Sequence, residues 1–422
     1  MTRRALLASA AAVAFTDKAL AVVEKAANRA STDLLEAAQD EGFWSQIQQA
    51  FTLDRAMVNF NNGGVCPSPR VVHEALKRTL DYSNQAPSYF MWRHAEPEVE
   101  NVRRRLARMF GADPEEIAIT RNASEALETC LKGFDLKPGD EILTTTQDYP
   151  RMVTTIQTRE RREGIKMVQV KAPAPPRSAD EVVKAFESGL TSRTKLILVS
   201  QVVFLNGTIN PVRKVQQLGN KHGIPVIVDG AHAFAQFPIT RDALDCDYYG
   251  TSLHKWLLAP VGTGMLYVRK PKIAGLWPLM AATDKQDADI RKFEEIGTHP
   301  AANHNAIAEA LTFTEIIGLE RKAARLRYLR SRWADPLRDE KKVVFHTNLS
   351  PEFSCGLTTV EIKGLTAADL SNWLLEKKGI FTVGITHDQF QGIRVTPNVY
   401  TTLDEIDRFG EAMLEAARKG IA

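Results

Sequence analysis

The sequence is poor in features that point to metals, nucleic acids or membranes. Only four of its 422 residues are cysteine, and no two of them have the spacing of metal ligands. The 54 basic residues nearly balance the 51 acidic ones, so the net charge of +3 gives no reason to expect nucleic acid or a membrane surface as a partner. No apolar run is long enough to span a bilayer. We predict no metal site and scattered thiols, with one disulfide left open, at Cys66, Cys130, Cys246 and Cys355.

The N-terminal residues differ in composition from the rest. Arg3 and Arg4 precede a short, alanine-rich apolar run that ends at Phe15, and small residues for cleavage follow at 19–21. This pattern is typical of a twin-arginine export signal, although an ordinary alanine-rich helix is the alternative. We predict that residues 1–30 are signal and linker, which would place the protein in the periplasm. Without a working signal it would be cytoplasmic.

Short apolar runs alternate with amphipathic segments through most of the chain. A hydrophobic content of 44% and 25% charged residues are ordinary for a soluble globular protein, and the length allows more than one domain. Runs such as Leu196–Ser200 and Val226–Asp229, separated by helices, favour an α/β fold with a doubly wound, mainly parallel sheet. A long helical stretch is predicted at about 303–333. We place a large domain with an N-terminal arm at 31–295 and a smaller α+β domain at 296–422.

Lys255 is the most informative residue. It follows a predicted strand, and Asp229 ends another strand 26 residues earlier. A lysine amine forms a Schiff base with the aldehyde of pyridoxal phosphate (PLP), and a carboxylate keeps the pyridine nitrogen protonated, so that the ring accepts electrons. The pair therefore predicts a PLP enzyme.

Four further candidates follow predicted strands. Ser124 opens a helix whose free N–H groups would bind a phosphate, with a plain N-cap as the alternative. His232 would bond the phenolic oxygen of the cofactor, or be a satisfied core histidine. Tyr149 would stack on the ring or move a proton, unless it is a packed surface tyrosine. Asn206 would reach the cofactor or the substrate, unless it is a turn asparagine.

Three more residues and one segment complete the predicted site. Ser252 and His254 flank Lys255 closely enough to touch the phosphate or the substrate. Arg394 stands between apolar neighbours and needs an anionic partner, either a substrate carboxylate or a structural salt bridge. The aromatic and basic segment 86–93 is expected to overhang a site, and it hints at a substrate that is larger than alanine and acidic or peptide-linked.

The order of these motifs resembles the class V aminotransferases of fold-type I, which include cysteine desulfurases and isopenicillin N epimerase-like proteins. The resemblance covers roughly residues 55–415. An export signal on the epimerase-like branch is similar to that of periplasmic PLP enzymes that tailor siderophores. The matching motifs are Arg121–Glu125, Val228–His232, Thr251–Lys255, Gly297-Thr298 and Arg394–Pro397.

The resemblance implies a role for each matching residue. PLP would be held by Lys255, with Asp229 on the pyridine nitrogen and Arg394 on the substrate carboxylate. Thr298 would reach the phosphate of the partner subunit, which implies a homodimer with shared sites. The phosphate itself would be bound by the Ala123 N–H, Ser124, Ser252 and His254.

The chain departs from the family pattern in three places. His232 stands where the family more usually has glutamine. Tyr149 occupies the segment in which desulfurases usually have a histidine stacked on the ring. No cysteine lies between Val383 and Arg394, which argues against a persulfide mechanism. We therefore predict an aminotransferase, with an epimerase or a C–S lyase on the same cofactor as alternatives. A non-catalytic binding protein of this fold is a more distant alternative.

Overall fold

The structure is a computed structural model that describes residues 20–421. The predicted export signal, from Arg3 to Phe15, lies outside the described residues. The strands are β1 (Val58–Asn59), β2 (Ile117–Thr120), β3 (Glu141–Thr145), β4 (Lys166–Val170), β5 (Thr194–Ser200), β6 (Val226–Asp229), β7 (Tyr248–Ser252), β8 (Gly264–Val268), β9 (Val343–Phe345), β10 (Thr358–Ile362), β11 (Ile380–Phe381), β12 (Val383–Thr386) and β13 (Gln391–Val395). The α-helices are a segment at 20–27, Leu34–Gln39, Glu41–Gln49, Arg70–Ser83, Pro87–Phe90, Glu96–Phe110, Ala123–Gly133, Pro150–Glu163, Ala179–Ser188, Val212–His222, Arg241–Leu244, Ala302–Asn305, Ile307–Ile317, Leu319–Ala334, Ala367–Lys378 and Leu403–Lys419.

Seven strands form the large sheet, in the order β2-β8-β7-β6-β5-β3-β4. All neighbouring pairs are parallel except those of β8, which runs antiparallel to β2 and β7. Along β5, Ile197 and Val199 face one hydrophobic core while Leu196 and Leu198 face another. Strands buried on both faces are characteristic of sheets covered by helices on both sides. The predicted α/β fold is confirmed.

The C-terminal part forms a second, antiparallel sheet with the order β12-β13-β10-β9. Helices Ala367–Lys378 and Leu403–Lys419 pack against it around a separate core. The segment at β1 pairs in parallel with β11, and it adds Val58 and Phe60 to this core. Helix Ile307–Ile317, by contrast, contributes to the core of the large sheet. The domain boundary at residue 295 stays a prediction. A segment before it packs in the core of the C-terminal sheet, and a helix after it packs in the core of the large sheet.

The helical stretch predicted at about 303–333 is helical in the structure but interrupted. Three helices occupy this stretch, and the last two meet at Gly318, whose φ is +81°. A φ in this range favours glycine and breaks the helical hydrogen-bond pattern. The break lets Ile307–Ile317 and Leu319–Ala334 pack against different neighbours.

The thiols, the possible metal ligands and the apolar helices can be located within residues 20–421. All four cysteines are buried free thiols. In this range no group of three or more His, Cys, Asp or Glu side chains is arranged to hold a metal ion. Nor does any helix within it combine the length and the apolarity needed to cross a bilayer.

Candidate active site

Nearly all the predicted site residues meet in one cavity of about 470 Å³. It lies where β5, β6 and β7 of the large sheet end, and β12 and β13 close its other side. Ligands of open α/β sheets bind beyond the carboxyl ends of the strands, because the loops there diverge. The predicted residues that line the cavity are Ala123, Ser124, Tyr149, Asp229, His232, Ser252, His254, Lys255 and Arg394.

Lys255 presents its amine to the centre of this cavity. The Nζ atom lies 3.1 Å from Nε2 of His232. Burial lowers the pKa of Lys255 to about 8, and Asp229 partly opposes this shift. Burial also holds the pKa of His232 well below its usual range, so the imidazole is neutral. A larger fraction of this lysine than of an ordinary one is therefore an uncharged, nucleophilic amine near neutral pH.

Asp229 lies at the end of β6, where the strand passes into the Gly230–His232 turn. Its Oδ1 accepts a hydrogen bond of 2.9 Å from the backbone N–H of Ala231. Burial raises the pKa of this carboxyl to about 6, and the charge of Asp148 adds to the effect. A desolvated carboxylate of this kind is stabilised by a cationic partner such as a pyridinium N–H.

The N-terminus of helix Ala123–Gly133 faces the cavity. Asn122 is the N-cap, because its Oδ1 accepts from the N–H of Glu125 at 2.9 Å. The alternative of Ser124 as a plain N-cap is therefore wrong. The Ala123 N–H donates to Ser252 Oγ at 2.9 Å, which ties the helix to the end of β7. Free N–H groups and the helix dipole make this end a place for a phosphate.

Gly264 allows the helix to sit this close to the sheet. A Cβ added there would lie 2.6 Å from the backbone of Asn122. His254 is held on the same side, with Nδ1 3.1 Å from the carbonyl oxygen of Thr263. Burial lowers the pKa of His254 to about 4, so the ring is neutral and Nδ1 is its donor. His254 would donate to a phosphate through Nε2 only as an imidazolium, the form that a phosphate dianion favours.

Arg394 is a buried cation with neutral partners. Its Nη1 donates to the Phe204 carbonyl and its Nη2 to Asn61 Oδ1, both at 2.9 Å, while Nε has no partner among residues 20–421. No carboxylate of the described chain pairs with it, so the alternative of a structural salt bridge is wrong. Burial lowers the pKa of Arg394 to about 10, which leaves it charged at neutral pH. A desolvated guanidinium of this kind favours an anionic ligand.

Tyr149 lines the cavity from the side of the large sheet. It immediately precedes helix Pro150–Glu163 and is 40% exposed. Its ring meets that of Phe204 edge to face, with 5.4 Å between the centroids. The neighbouring Asp148 carboxylate accepts from Thr145 and Ser200, which fixes the segment that carries Tyr149.

Two predicted residues and the aromatic segment lie elsewhere. Asn206 is fully buried outside the cavity, where its Oδ1 accepts from the N–H of Thr208; it is the turn asparagine of the alternative interpretation. Phe204, two residues earlier, lines the cavity instead. Thr298 is not among the lining residues, and a role in a partner's site stays a prediction. Within one chain the segment 86–93 does not overhang the site, because its Arg93 lines a separate cavity of about 480 Å³.

Several residues that line the cavity were not predicted from the sequence. Gly63 allows close approach, since a Cβ there would lie 3.3 Å from His232 and 3.5 Å from Arg394. The Gly63-Gly64 pair was a usable signal, because paired glycines often mark a backbone that approaches a ligand. Val383 and Ile385 carried no signal, since apolar residues in a strand are ordinary.

The lining fits PLP on structural grounds. The cavity joins a helix N-terminus for the phosphate, a buried carboxylate for the ring nitrogen and a lysine with a lowered pKa for the aldehyde. His232 Nδ1 is buried without a partner in the described chain, although buried polar atoms are normally bonded. Lys255, Asp229, His232 and the start of helix Ala123–Gly133 would hold the cofactor.

Comparison with known proteins agrees with this fit. The family described as "Aminotransferase class-V" matches residues 58–409. Isopenicillin N epimerase of Streptomyces clavuligerus is 28% identical over 387 residues, which covers 88% of this chain and 97% of that protein. The cysteine desulfurase CsdA of Escherichia coli has a TM-score of 0.75 at 20% identity, over 88% of this chain and 98% of its own. A C-DES mutant with glycine covalently linked to its PLP cofactor has a TM-score of 0.74 at 23% identity, over 85% and 98% of the two chains. The chain therefore belongs to the class V aminotransferase family, and it is a PLP-dependent enzyme.

Proposed function

We propose that this enzyme is an aminotransferase that acts on α-amino acids. The observation that carries the proposal is the pairing, in one cavity, of the buried Arg394 without a carboxylate partner and the amine of Lys255 with its lowered pKa. An arginine fork binds a carboxylate in two parallel hydrogen bonds. A neutral lysine is a base for the proton on the neighbouring carbon.

The residues divide the work between binding and proton transfer. When bound, PLP supplies an electron sink for negative charge at the substrate Cα. Arg394 binds the α-carboxylate and thereby orients the Cα–H bond. Lys255 takes the α-proton on Nζ and returns it at a different carbon, while His232, 3.1 Å away, orients the amine. Asp229 holds the proton on the ring nitrogen throughout.

Epimerisation is the second candidate. It is favoured by the similarity to isopenicillin N epimerase over most of both chains. Inversion at Cα needs a second acid on the other side of the substrate, and Tyr149 is the residue that would serve. Tyr149 lines the cavity and is 40% exposed.

A desulfurase with a cysteine nucleophile is less well supported. No cysteine lines the cavity of the described chain. Cys66 and Cys355 are buried, and burial raises the pKa of each thiol, which keeps it protonated and unreactive. A C–S lyase that eliminates a substituent without a cysteine remains an outcome of the test.

We further propose that the enzyme is a homodimer and that it is exported to the periplasm. The dimer is supported by the family resemblance at Thr298, and the export by Arg3 and Arg4. Both proposals are independent of the reaction type.

The test is a product analysis of the purified holoenzyme with a panel of L-amino acids, with and without keto acids. Aminotransferase activity predicts conversion of the visible absorption band of the cofactor by an amino acid and its return with a keto acid. Racemised substrate without keto-acid dependence would instead establish the epimerase, and pyruvate with sulfide from cysteine the lyase. Lys255→Ala is the control and should abolish each activity. Full turnover by that variant would contradict all three assignments.

A further inference from the structure

The wall beside Arg394 is apolar. Val383 lies directly opposite Arg394 in the β12–β13 pair, and directly opposed residues share one face of a sheet. Ile385, two residues further along β12, lies on the same face, because side chains alternate along a strand. Both line the cavity, and Ile385 is only 5% exposed.

Phe204 extends this wall on the side of the large sheet. Its carbonyl accepts from Arg394 Nη1 at 2.9 Å, and its side chain packs with Val383 and Ile385 in one hydrophobic cluster. We call the surface formed by Phe204, Val383 and Ile385 the apolar wall.

The charged groups of the cavity are already engaged. Within the described chain the charged lining side chains are Lys255, Asp229 and Arg394, and the first two face the cofactor. Burial lowers the pKa of His232, so this histidine is neutral, and a protonated His254 would be engaged by the phosphate. A second charge on the substrate would be desolvated against the apolar wall without a partner, which is unfavourable.

We infer that the substrate is an α-amino acid or amino acid derivative whose side chain is apolar and larger than that of alanine, with this side chain packed on the apolar wall. The inference rests on the proposed function for the position of the carboxylate at Arg394. It replaces the expectation of an acidic substrate, which depended on the segment 86–93.

The test compares leucine, norleucine, alanine, aspartate, glutamate and lysine on the holoenzyme. Dissociation constants are measured from the change in cofactor absorption, and kcat/KM from product formation. A hydrophobic pocket discriminates roughly 10- to 200-fold per methylene, so kcat/KM for leucine should exceed that for alanine at least about tenfold. The value for leucine should exceed that for aspartate on the order of a hundredfold or more, because the second carboxylate finds no partner. Aspartate or glutamate equal to leucine would overturn the inference and indicate a cation from a second subunit.

Variants of the apolar wall make the test specific. Ile385→Lys should raise the ratio of kcat/KM for aspartate to kcat/KM for leucine at least about tenfold, because it places a cation beside the substrate side chain. Thr386→Lys is the matched control: the next residue is exposed on the opposite face, and the same charge there should leave the ratio unchanged. Val383→Lys, at a partly buried position on the same face, repeats the change where folding is less at risk. An unchanged ratio in both Ile385→Lys and Val383→Lys would overturn the inference.

Failure of the inference and failure of the proposed function have different signatures. If leucine binds better than aspartate but no amino group is transferred, the aminotransferase assignment is wrong and the side-chain preference is supported. If amino transfer occurs but favours aspartate, the aminotransferase assignment is supported and the side-chain preference is wrong. A holoenzyme whose absorption responds to no amino acid would overturn both.

Discussion

At the residue scale, chemistry in this cavity depends on an amine that burial makes easier to deprotonate. The amine of Lys255 lies next to His232, in a setting where burial lowers the pKa of each. Asp229 and Arg394 act on the lysine in opposite directions, since the carboxylate raises its pKa and the guanidinium lowers it. Burial and these two charges together set the pH at which the amine becomes a nucleophile.

Capture of PLP by the apoprotein should therefore accelerate as the pH rises through about 8, the pKa of Lys255. Below that pH the lysine is protonated and unreactive, and above it the rate should level off. Stopped-flow absorbance between pH 6 and 11 measures the midpoint. A midpoint near the ordinary lysine value of about 10.4 would contradict the prediction.

Two variants test the cause of this shift. Asp229→Asn removes the carboxylate that raises the pKa of Lys255, so its midpoint should move to lower pH. Arg394→Met removes a positive charge and should move the midpoint to higher pH. Shifts of the same sign in both variants would show that their charges do not set the pKa.

At the element scale, two close contacts decide the shape of the site. The first joins helix Ala123–Gly133 to β8 at Gly264, and it aims the helix N-terminus into the cavity. The second joins the tip of the β12–β13 hairpin to the large sheet. There Gln389 Oε1 accepts from Gln147 Nε2 at 3.0 Å, and Gln389 Nε2 donates to the carbonyl of Ala172 at 2.9 Å.

Gly264→Ala should displace the helix from the sheet, because a Cβ does not fit 2.6 Å from a backbone atom. We expect a loss of about 1–3 kcal/mol in the free energy of unfolding and weaker PLP binding. Gly275→Ala is the control, since the nearest atom to its Cβ lies 3.9 Å away. Thermal unfolding and PLP titration measure the two effects. If the two variants have the same unfolding free energy and the same PLP affinity, the contact at Gly264 does not position the helix.

Gln389→Ala should loosen the hairpin that carries Ile385 and Arg394. Loss of these hydrogen bonds should cost about 1–3 kcal/mol in the free energy of unfolding and raise KM for the amino acid. Asp388→Ala is the control, because the adjacent ion pair with Lys171 is exposed and contributes little. Steady-state kinetics and denaturant titration check this. A KM unchanged in Gln389→Ala would mean that other contacts hold the hairpin, such as the 2.9 Å hydrogen bond from His387 Nε2 to the Thr146 carbonyl.

At the scale of the whole molecule, the surface supports the proposed dimer. Val261, Trp277 and Met280 are each more than half exposed, which is costly for large apolar side chains in water. Thr298 lies outside the cavity of its own chain, so a role at a phosphate requires a second copy. A shared site of this kind makes activity a property of the pair of chains.

Mixed dimers of Lys255→Ala and Thr298→Val chains test this. If Thr298 acts in the partner's site, one site of each mixed dimer has both native residues, and mixing two weak variants should restore activity. If Thr298 acts in its own chain, no mixed site is intact and activity stays low. Light scattering on each variant controls for loss of the dimer itself, and Thr298→Ser should retain PLP affinity.

Strand positions were the most predictable part of the fold. The apolar run Val226–Asp229 coincides with β6, and the run Leu196–Ser200 lies within β5. The short strands β1, β11 and β12 were missed, because two to four residues carry too little periodicity to be distinguished from a loop. The break at Gly318 was also missed, since one glycine inside a helical pattern is often tolerated.

The sequence by itself determined the cofactor chemistry and most of the residues that hold it. Asp229 ends the apolar strand β6, Arg394 lies within β13 between apolar neighbours, and Lys255 follows β7, so the sequence marked each charged residue as a candidate. Only the tertiary structure decided that Phe204 rather than Asn206 lines the cavity, and that Val383 and Ile385 flank Arg394. These positions depend on turn geometry and on contacts between segments nearly 200 residues apart, which no local pattern encodes.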